Sequence, residues 1–230
     1  QKRENTDVLI IDASKGFTKV GKNNMLQASD IKRVSDTVAA RKDVSKFARV
    51  VSRDEIRKNE YNLNIPRYVD SSEAPESWDI YASMFGGVPK KEIEELSTYW
   101  QTFPELKADL FTNDHGEHVH IAEGNVKEII KNHPNVISFK EQYAKAFEGF
   151  DAELYSDLVV GMKTLNISKE ETKLSDEIFN RLASVPLVDK YNAYQLLNDE
   201  WVKISVDLEM VQTEGFGATK QVDPNMVIKK

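Results

Sequence analysis

The chain has 230 residues and a formal net charge of −7, and its content of 40% hydrophobic and 9% aromatic residues is typical of a globular protein. It contains no cysteine, which excludes disulfide bonds and thiolate zinc sites and favours a reducing, cytoplasmic location. No apolar run approaches the roughly 20 residues that span a bilayer, no signal peptide is visible, and the chain begins with Gln1. We therefore expect part of a longer protein, without a membrane partner.

The charge is unevenly distributed along the chain. Residues 1–69 contain 15 basic and 9 acidic residues, a balance of +6, whereas residues 70–230 contain 16 basic and 29 acidic residues, a balance of −13. A basic segment ahead of an acidic remainder is typical of a region that lies against a polyanion. An accident of surface charge would give the same pattern, so the charge leaves both interpretations open.

The first third begins with a short apolar strand. Val8–Ile11 is a run of four apolar residues, typical of a strand buried on both faces of an α/β sheet. No alternation of strands and helices follows, so we interpret it as the last strand of such a sheet. A helix is predicted from Ser29 and a strand over residues 47–51. A short helix should then begin after Ser52, because Ser52 and Glu55 have the spacing of a capping box.

Residues 61–69, YNLNIPRYV, contain one charged residue, Arg67, in a chain in which 30% of residues are charged. Pro66 holds Ile65 extended and cannot donate a hydrogen bond. Amide groups, a planar guanidinium and an aromatic face are supplied by Asn62, Asn64, Arg67 and Tyr68. These side-chain groups are suited to binding a nucleic acid strand. The alternative is structural: the asparagines satisfy a buried turn and Tyr68 belongs to the core.

The remainder is predicted to be mainly helical. Polar, proline-bearing residues 70–88 form the predicted linker, residues 89–214 a helical domain with a short β element, and residues 215–230 an extended tail. Pro89 is expected in the first turn of a helix that continues to Trp100. The fold class is therefore α+β and mainly helical.

Later helices are predicted from their caps and from their apolar spacing. Capping pairs occur at Asn125 with Glu128, Ser138 with Glu141, and Ser168 with Glu171. A long helix from Leu187 carries an apolar stripe formed by Tyr191, Tyr194, Leu197, Trp201, Ile204 and Leu208. Large aromatic residues on one face are typical of a partner interface and equally of a protein core, so both interpretations of this stripe remain.

No complete active site is visible in the sequence. His115, His118 and His120 are close enough to suggest a zinc site, but residues 117–122 alternate like an edge strand, which would place His118 and His120 on one solvated face. We therefore expect no metal. The glycine pairs Gly86-Gly87 and Gly215–Gly217 do not connect a strand to a helix as phosphate-binding loops do, and are predicted to be turns.

Three segments together resemble one enzyme family. They are VLIIDASKGF (residues 8–17), ARVVSRDEIRKNEYNLNIPRYV (residues 48–69) and LVDKYNAYQLLNDEW (residues 187–201). They are similar to the C-terminal part of the modification (M) subunit of type I restriction–modification enzymes. The resemblance covers the chain from Asp7 onward, and residues 49–69 are its most specific part.

The resemblance implies an activity, a cofactor and partners for the full-length protein. The M subunit is an S-adenosylmethionine-dependent methyltransferase that modifies N6 of adenine after flipping the base out of double-stranded DNA. Two M subunits assemble with one specificity (S) subunit, and a motor and nuclease (R) subunit can join. The family's Asn-Pro-Pro-Tyr/Phe motif and its glycine-rich cofactor loop do not occur in this sequence, since Asn64–Arg67 departs from the first at its second and fourth positions. Both motifs are expected upstream of Gln1, so we expect the chain alone to bind no cofactor and to be inactive.

The resemblance also suggests where DNA and partners would bind. YNLNIPRYV would join the catalytic fold (residues 1–69) to the C-terminal helices. The DNA-binding residues would be Arg49, Arg53, Arg57, Lys58, Asn62, Asn64, Arg67 and Tyr68. The partner-binding residues would be Tyr191, Tyr194, Leu197 and Trp201. The alternative is an independent helical adaptor that mediates protein contacts and has no methyltransferase parent.

Overall fold

The computed structural model describes residues 5–72, 78–112 and 116–220. The chain divides into two compact units. The first unit combines Gln1–Glu76 with Tyr191–Asp199, and the second combines Ser77–Lys190 with Glu200–Lys230. The predicted boundaries at residues 69, 88 and 214 stay predictions.

Two antiparallel strand pairs lie in the first unit. The strands are β1 (Val8–Ile11), β2 (Thr18–Val20), β3 (Asn23–Met25) and β4 (Ala48–Val51). β1 pairs with β4, with Val8 opposite Val51, and β2 pairs with β3 in a hairpin. The strand predicted at residues 8–11 is confirmed. In β1 only Ile10 is fully buried, so the strand is not covered on both faces as its apolar run suggested.

Two helices complete the regular structure of the first unit. Helix α1 (Ala28–Ala40) begins one residue before the predicted Ser29, because the Gln27 N–H donates to the Asp30 carboxylate. Helix α2 (Arg53–Lys58) has the predicted cap: the Ser52 hydroxyl accepts the Glu55 N–H at 3.2 Å. β1, β4 and α2 contribute to a small core, which is formed by Ile10, Val51, Ile56, Tyr68 and Val69. The end of YNLNIPRYV therefore belongs to this core.

The second unit starts with short elements around a three-stranded sheet. They are α3 (Ile80–Phe85), β5 (Val88–Pro89), α4 (Lys90–Glu95), α5 (Ser97–Thr102), α6 (Leu106–Leu110), β6 (Phe111–Thr112) and β7 (His118–Ile121). β7 lies between β5 and β6, both antiparallel to it. The prediction of an edge strand over residues 117–122 is therefore wrong. The helix predicted from Pro89 to Trp100 is interrupted at Leu96, and α3 lies within the predicted linker.

The rest of the second unit is helical. The elements are α7 (Val126–Asn132), α8 (Pro134–Ala146), α9 (Phe150–Tyr155) with a π-helical turn at Ser156–Val160, α10 (Ile167–Leu182), α11 (Lys190–Glu214) and a 3₁₀ turn at Ala218–Lys220. The cap at Asn125 is confirmed. The capping box at Ser138 is wrong, because Ser138 lies inside α8 and His133 caps that helix by accepting the Asn135 N–H. Asn166, two residues before the predicted Ser168, caps α10.

Aromatic and aliphatic side chains form the core of the second unit. Phe103, Leu106, Leu110 and Val136 are buried together, and Phe103 meets Phe139 edge to face at 5.5 Å between ring centroids. The mainly helical fold class is confirmed. Among the described residues, none of the helices is both long and apolar enough to cross a membrane.

Candidate nucleic-acid and partner-binding surfaces

Residues 61–67, which we call the strap, follow α2, and hydrogen bonds fix their backbone. The Tyr61 N–H donates to the Ile56 carbonyl at 2.9 Å, and the Tyr68 hydroxyl donates to the Asn62 carbonyl at 2.6 Å. The Asn62 side chain accepts the Asn64 N–H at 2.9 Å, which closes an Asx turn. Asn62 thus satisfies a turn, as the structural alternative predicted, although this turn is exposed.

The entry to the strap is conformationally unusual. Glu60 and Tyr61 are consecutive non-glycine residues in the left-handed region, with φ of 56° and 58°. Such residues cost on the order of 1–2 kcal/mol each, and they persist only where surrounding contacts fix them. Here the hydrogen bond from the Tyr61 N–H to the Ile56 carbonyl supplies such a contact. The strap is therefore held in one conformation against a local preference.

Tyr68 lies in the core and not on the DNA-facing surface that the resemblance suggested. Its side chain is 4% exposed and packs with Ile10, Val51 and Ile56. Its hydroxyl donates a hydrogen bond to the Asn62 carbonyl. Both observations favour the core alternative, in which Tyr68 anchors the strap, and its role in DNA binding stays a prediction.

Two of the predicted DNA-binding cations are neutralised within the chain. Arg49 forms a bidentate pair with Glu55, with N–O distances of 2.8 and 3.0 Å. Arg57 pairs with Asp54 at 3.0 Å and donates to the Tyr61 hydroxyl at 3.4 Å. That hydrogen bond, together with the positive charge of Arg57, lowers the pKa of the Tyr61 phenol. Both guanidiniums already have partners, so they have less to offer a phosphate.

Three predicted cations are exposed without such partners. Arg53, Lys58 and Arg67 lie on α2 and the strap, and none of them forms an ion pair with another described residue. An unpaired, exposed guanidinium or ammonium gains most from a nearby phosphate, because no internal contact has to be broken first. These three residues and the strap form the candidate nucleic-acid interface, which stays a prediction.

The start of α11 packs on α1 within the first unit. The Gln195 side-chain oxygen accepts the Ser29 N–H at 2.9 Å, at the beginning of α1. The ammonium of Lys32 lies 5.6 Å from the centroid of the Tyr194 ring, and the guanidinium of Arg33 lies 5.7 Å from that of Tyr191. Both tyrosine rings are therefore half-buried against their own chain.

The predicted partner-binding stripe is largely internal. Trp201 is 4% exposed, which favours the core alternative for it, and its role in partner binding stays a prediction. Leu197 is half-buried. Within the second unit, the side of α11 away from Trp201 carries Val202 and Val206, which are 59% and 51% exposed. Sequence reasoning missed this outer surface. In the sequence, the apolar residues outside the main apolar stripe of this helix could have indicated it.

The histidines of the second unit are arranged for packing. The Nε2 of His118 lies 3.0 Å from an Asp79 carboxylate oxygen, and the His118 ring lies 4.6 Å from that of Tyr81. His118 is half-buried, which corrects its predicted position on a solvated face, whereas His120 is exposed. His115 lies outside the described residues. Within the described ranges no group of three or more His, Asp or Glu side chains could hold a metal ion.

The part of the chain that contains the strap is similar to a known protein family. The family model for N-6 DNA methylases matches residues 1–77. Residues 1–77 are thus similar to the N-6 DNA methylase family. The matched residues contain β1, α1, β4, α2 and the strap, and therefore the whole candidate nucleic-acid interface.

Curated relatives agree with this assignment. The methylase subunit of the type I restriction enzyme MpnII from Mycoplasma pneumoniae is 36% identical over 73 residues, 32% of this chain and 13% of the relative. The corresponding MjaVII and MjaVIII subunits from Methanocaldococcus jannaschii are each 38% identical, over 94 and 107 residues. These matches cover 39% and 45% of this chain, and 16% and 18% of the relatives. The chain thus matches less than one fifth of the length of these proteins.

A solved structure gives a similar match. The methyltransferase subunit of a type I restriction-modification system from Streptococcus thermophilus is 44% identical over a region that covers 31% of this chain and 15% of that chain, with a TM-score of 0.31. The similarity to the methylase family therefore rests on the sequence matches, and the family model covers residues 1–77.

Proposed function

We propose that this chain acts as the C-terminal part of a type I restriction–modification DNA methyltransferase subunit, in which it clamps duplex DNA and takes part in subunit assembly. The observation that carries the proposal is that the unpaired cations Arg53, Lys58 and Arg67 lie within the residues that match the methylase family. In the full-length protein, S-adenosylmethionine-dependent methylation of adenine N6 would be performed by residues outside this chain. In support, the chain contains no Asn-Pro-Pro sequence.

The clamping role is supported by the charge of residues 1–69. Residues 1–69 carry a balance of +6, while the rest of the chain carries −13. A basic surface on an otherwise acidic protein orients the protein toward the DNA backbone and adds affinity through the release of condensed counterions. Contacts of this kind position a protein on the duplex without reading its sequence. A separate specificity subunit would therefore supply the recognition of the DNA site.

The assembly role follows from the outer side of α11. Val202 and Val206 are apolar side chains of the second unit that remain more than half exposed on this helix. A helix with apolar residues on both sides is typical of an element that packs on two neighbours. We infer that this outer side binds the specificity subunit, and that a second methylase subunit joins the same complex.

Co-purification with the specificity subunit from the same source tests the assembly role. The wild-type chain should be retained, whereas Val202→Asp combined with Val206→Asp should abolish retention, because a carboxylate buried at the interface is strongly unfavourable. Ile31→Asp combined with Val38→Asp is the matched control, since these α1 residues are 57% and 54% exposed. Failure of the wild-type chain to bind, or equal loss in both double variants, would contradict the assembly role.

A further inference from the structure

The strap exposes apolar side chains at alternate positions. Tyr61, Leu63 and Ile65 are 61%, 58% and 37% exposed, although apolar surface in water is unfavourable. The phosphates of a DNA backbone offer this surface nothing to pack against. The largest apolar surfaces of a duplex are the faces of its bases, which become accessible only where a base step is opened.

The strap is ordered before any ligand binds. Its backbone is fixed by the Asx turn of Asn62 and by the hydrogen bond from the buried Tyr68 to the Asn62 carbonyl. Leu63 lies between these fixed points. An ordered segment loses little conformational entropy when it enters a partner, so more of the contact energy appears as affinity.

Cations border these side chains. Arg53 is close enough to the Tyr61 phenol to interact with it electrostatically, and Arg67 belongs to the same 3₁₀ turn as Ile65. They place positive charge beside Tyr61 and Ile65, where the phosphates next to an opened base step would lie. Apolar side chains bordered by unpaired cations are the combination by which proteins insert into DNA.

We propose that Leu63, with Tyr61 and Ile65 beside it, is an apolar wedge that fills the gap left in a DNA duplex when a nucleotide is unstacked or extruded. This inference rests on the proposed function, because it requires that the first unit lies on DNA. It assigns the strap a role that phosphate contacts do not provide: stabilising the opened state of the duplex.

Binding of two short duplexes by the full 230-residue chain tests the wedge. The duplexes have the same sequence, one intact and one with a single tetrahydrofuran abasic site, and affinity is measured by fluorescence anisotropy. We expect the chain to bind the abasic duplex about tenfold more tightly, because the missing base removes part of the cost of opening the step. Leu63→Ser should abolish this preference, so that its affinities for the two duplexes agree within about twofold.

The control is Leu26→Ser, an exposed leucine of the same unit, which should keep the preference. Circular dichroism spectra confirm that each variant is folded. Equal, salt-dependent binding of both duplexes by the wild-type chain would contradict the wedge and leave the DNA-clamping function intact. No binding to either duplex would contradict both. Loss of specificity-subunit binding in Leu63→Ser, with the duplex preference unchanged, would also overturn the wedge, since the strap would then be a protein-binding surface.

Discussion

At the scale of single residues, Asp12 joins two distant points of the first unit. One carboxylate oxygen accepts the Ser14 N–H at 3.0 Å, and the other accepts the Ser71 hydroxyl at 2.5 Å. The hydrogen bonds from Ser14 and Ser71 lower the pKa of Asp12 below its ordinary value of 3.8. A carboxylate whose pKa is lower in the folded state stabilises the fold above pH 3.8, and this contribution disappears as the pH falls through the folded-state pKa.

Replacement of Asp12 should therefore have a pH-dependent cost. Asp12→Ala should lower the free energy of unfolding by about 1.5–3 kcal/mol at neutral pH, the range for hydrogen bonds to a charged group. The difference from wild type should shrink as the pH is lowered past 3.8. Urea titrations from pH 7 to pH 3 measure this trend, with the exposed Asp151→Ala as control. A destabilisation that stays constant over this range would contradict the account of Asp12.

The anchor of the strap is a second test at this scale. Tyr68→Phe keeps the buried ring but removes the donor to the Asn62 carbonyl, so it should destabilise the fold by about 0.5–1.5 kcal/mol. Tyr143→Phe, on a 43% exposed residue, should change stability by less than about 0.5 kcal/mol. Denaturant melts of both variants compare the two effects. Equal effects would indicate that the Tyr68 hydroxyl contributes nothing to holding the strap.

At the scale of elements, the sequence predicted those whose signals are local. β1, β4, α2 and α7 were found because a short apolar run or a capping side chain marks each of them. β7 was found too, but as an edge strand, because its neighbours β5 and β6 have two residues each and give no alternation. Strands this short are recognisable only from their pairing with β7, and that pairing belongs to the tertiary structure and not to the local sequence.

The candidate site shows the same division between local and tertiary information. The sequence selected the correct basic segment, but it could not separate Arg49 from Arg53. Arg49 is neutralised because folding brings the β4 strand next to Glu55 on α2. The sequence also could not decide the environment of Tyr68, since its burial depends on Ile10 and Val51, which are distant in the chain.

Helix α11 provides a prediction at the element scale. Trp201→Ala should cost about 3–5 kcal/mol because the side chain is almost completely buried. Tyr194→Ala should cost less, because its ring is half-buried beneath Lys32. Val202→Ala, on the exposed side, should stay within about 0.5 kcal/mol of wild type. Thermal melts rank the three variants, and a Trp201→Ala protein as stable as wild type would show that the inner stripe is not a core.

At the scale of the whole molecule, we expect this chain to contact DNA and partner subunits but not to perform catalysis. We expect no binding of S-adenosylmethionine and no DNA methylation by this chain, because the motifs for both are absent from its sequence. Isothermal titration calorimetry with S-adenosylmethionine measures the first directly. Binding with a micromolar dissociation constant would mean that the chain holds a cofactor site of its own.

The most direct test of the central claim is the salt dependence of duplex binding by two charge-reversed proteins. One carries Arg53→Glu, Lys58→Glu and Arg67→Glu. The control carries Lys131→Glu, Lys140→Glu and Lys145→Glu, the same change in net charge on exposed residues of the second unit. If the wild-type chain neutralises three phosphates, the logarithm of its affinity should fall with the logarithm of salt concentration with a slope of about −2.7. The first protein should lose this binding and the control should keep most of it. Salt-independent binding by the wild-type chain, or equal loss in both proteins, would contradict the claim that α2 and the strap clamp DNA.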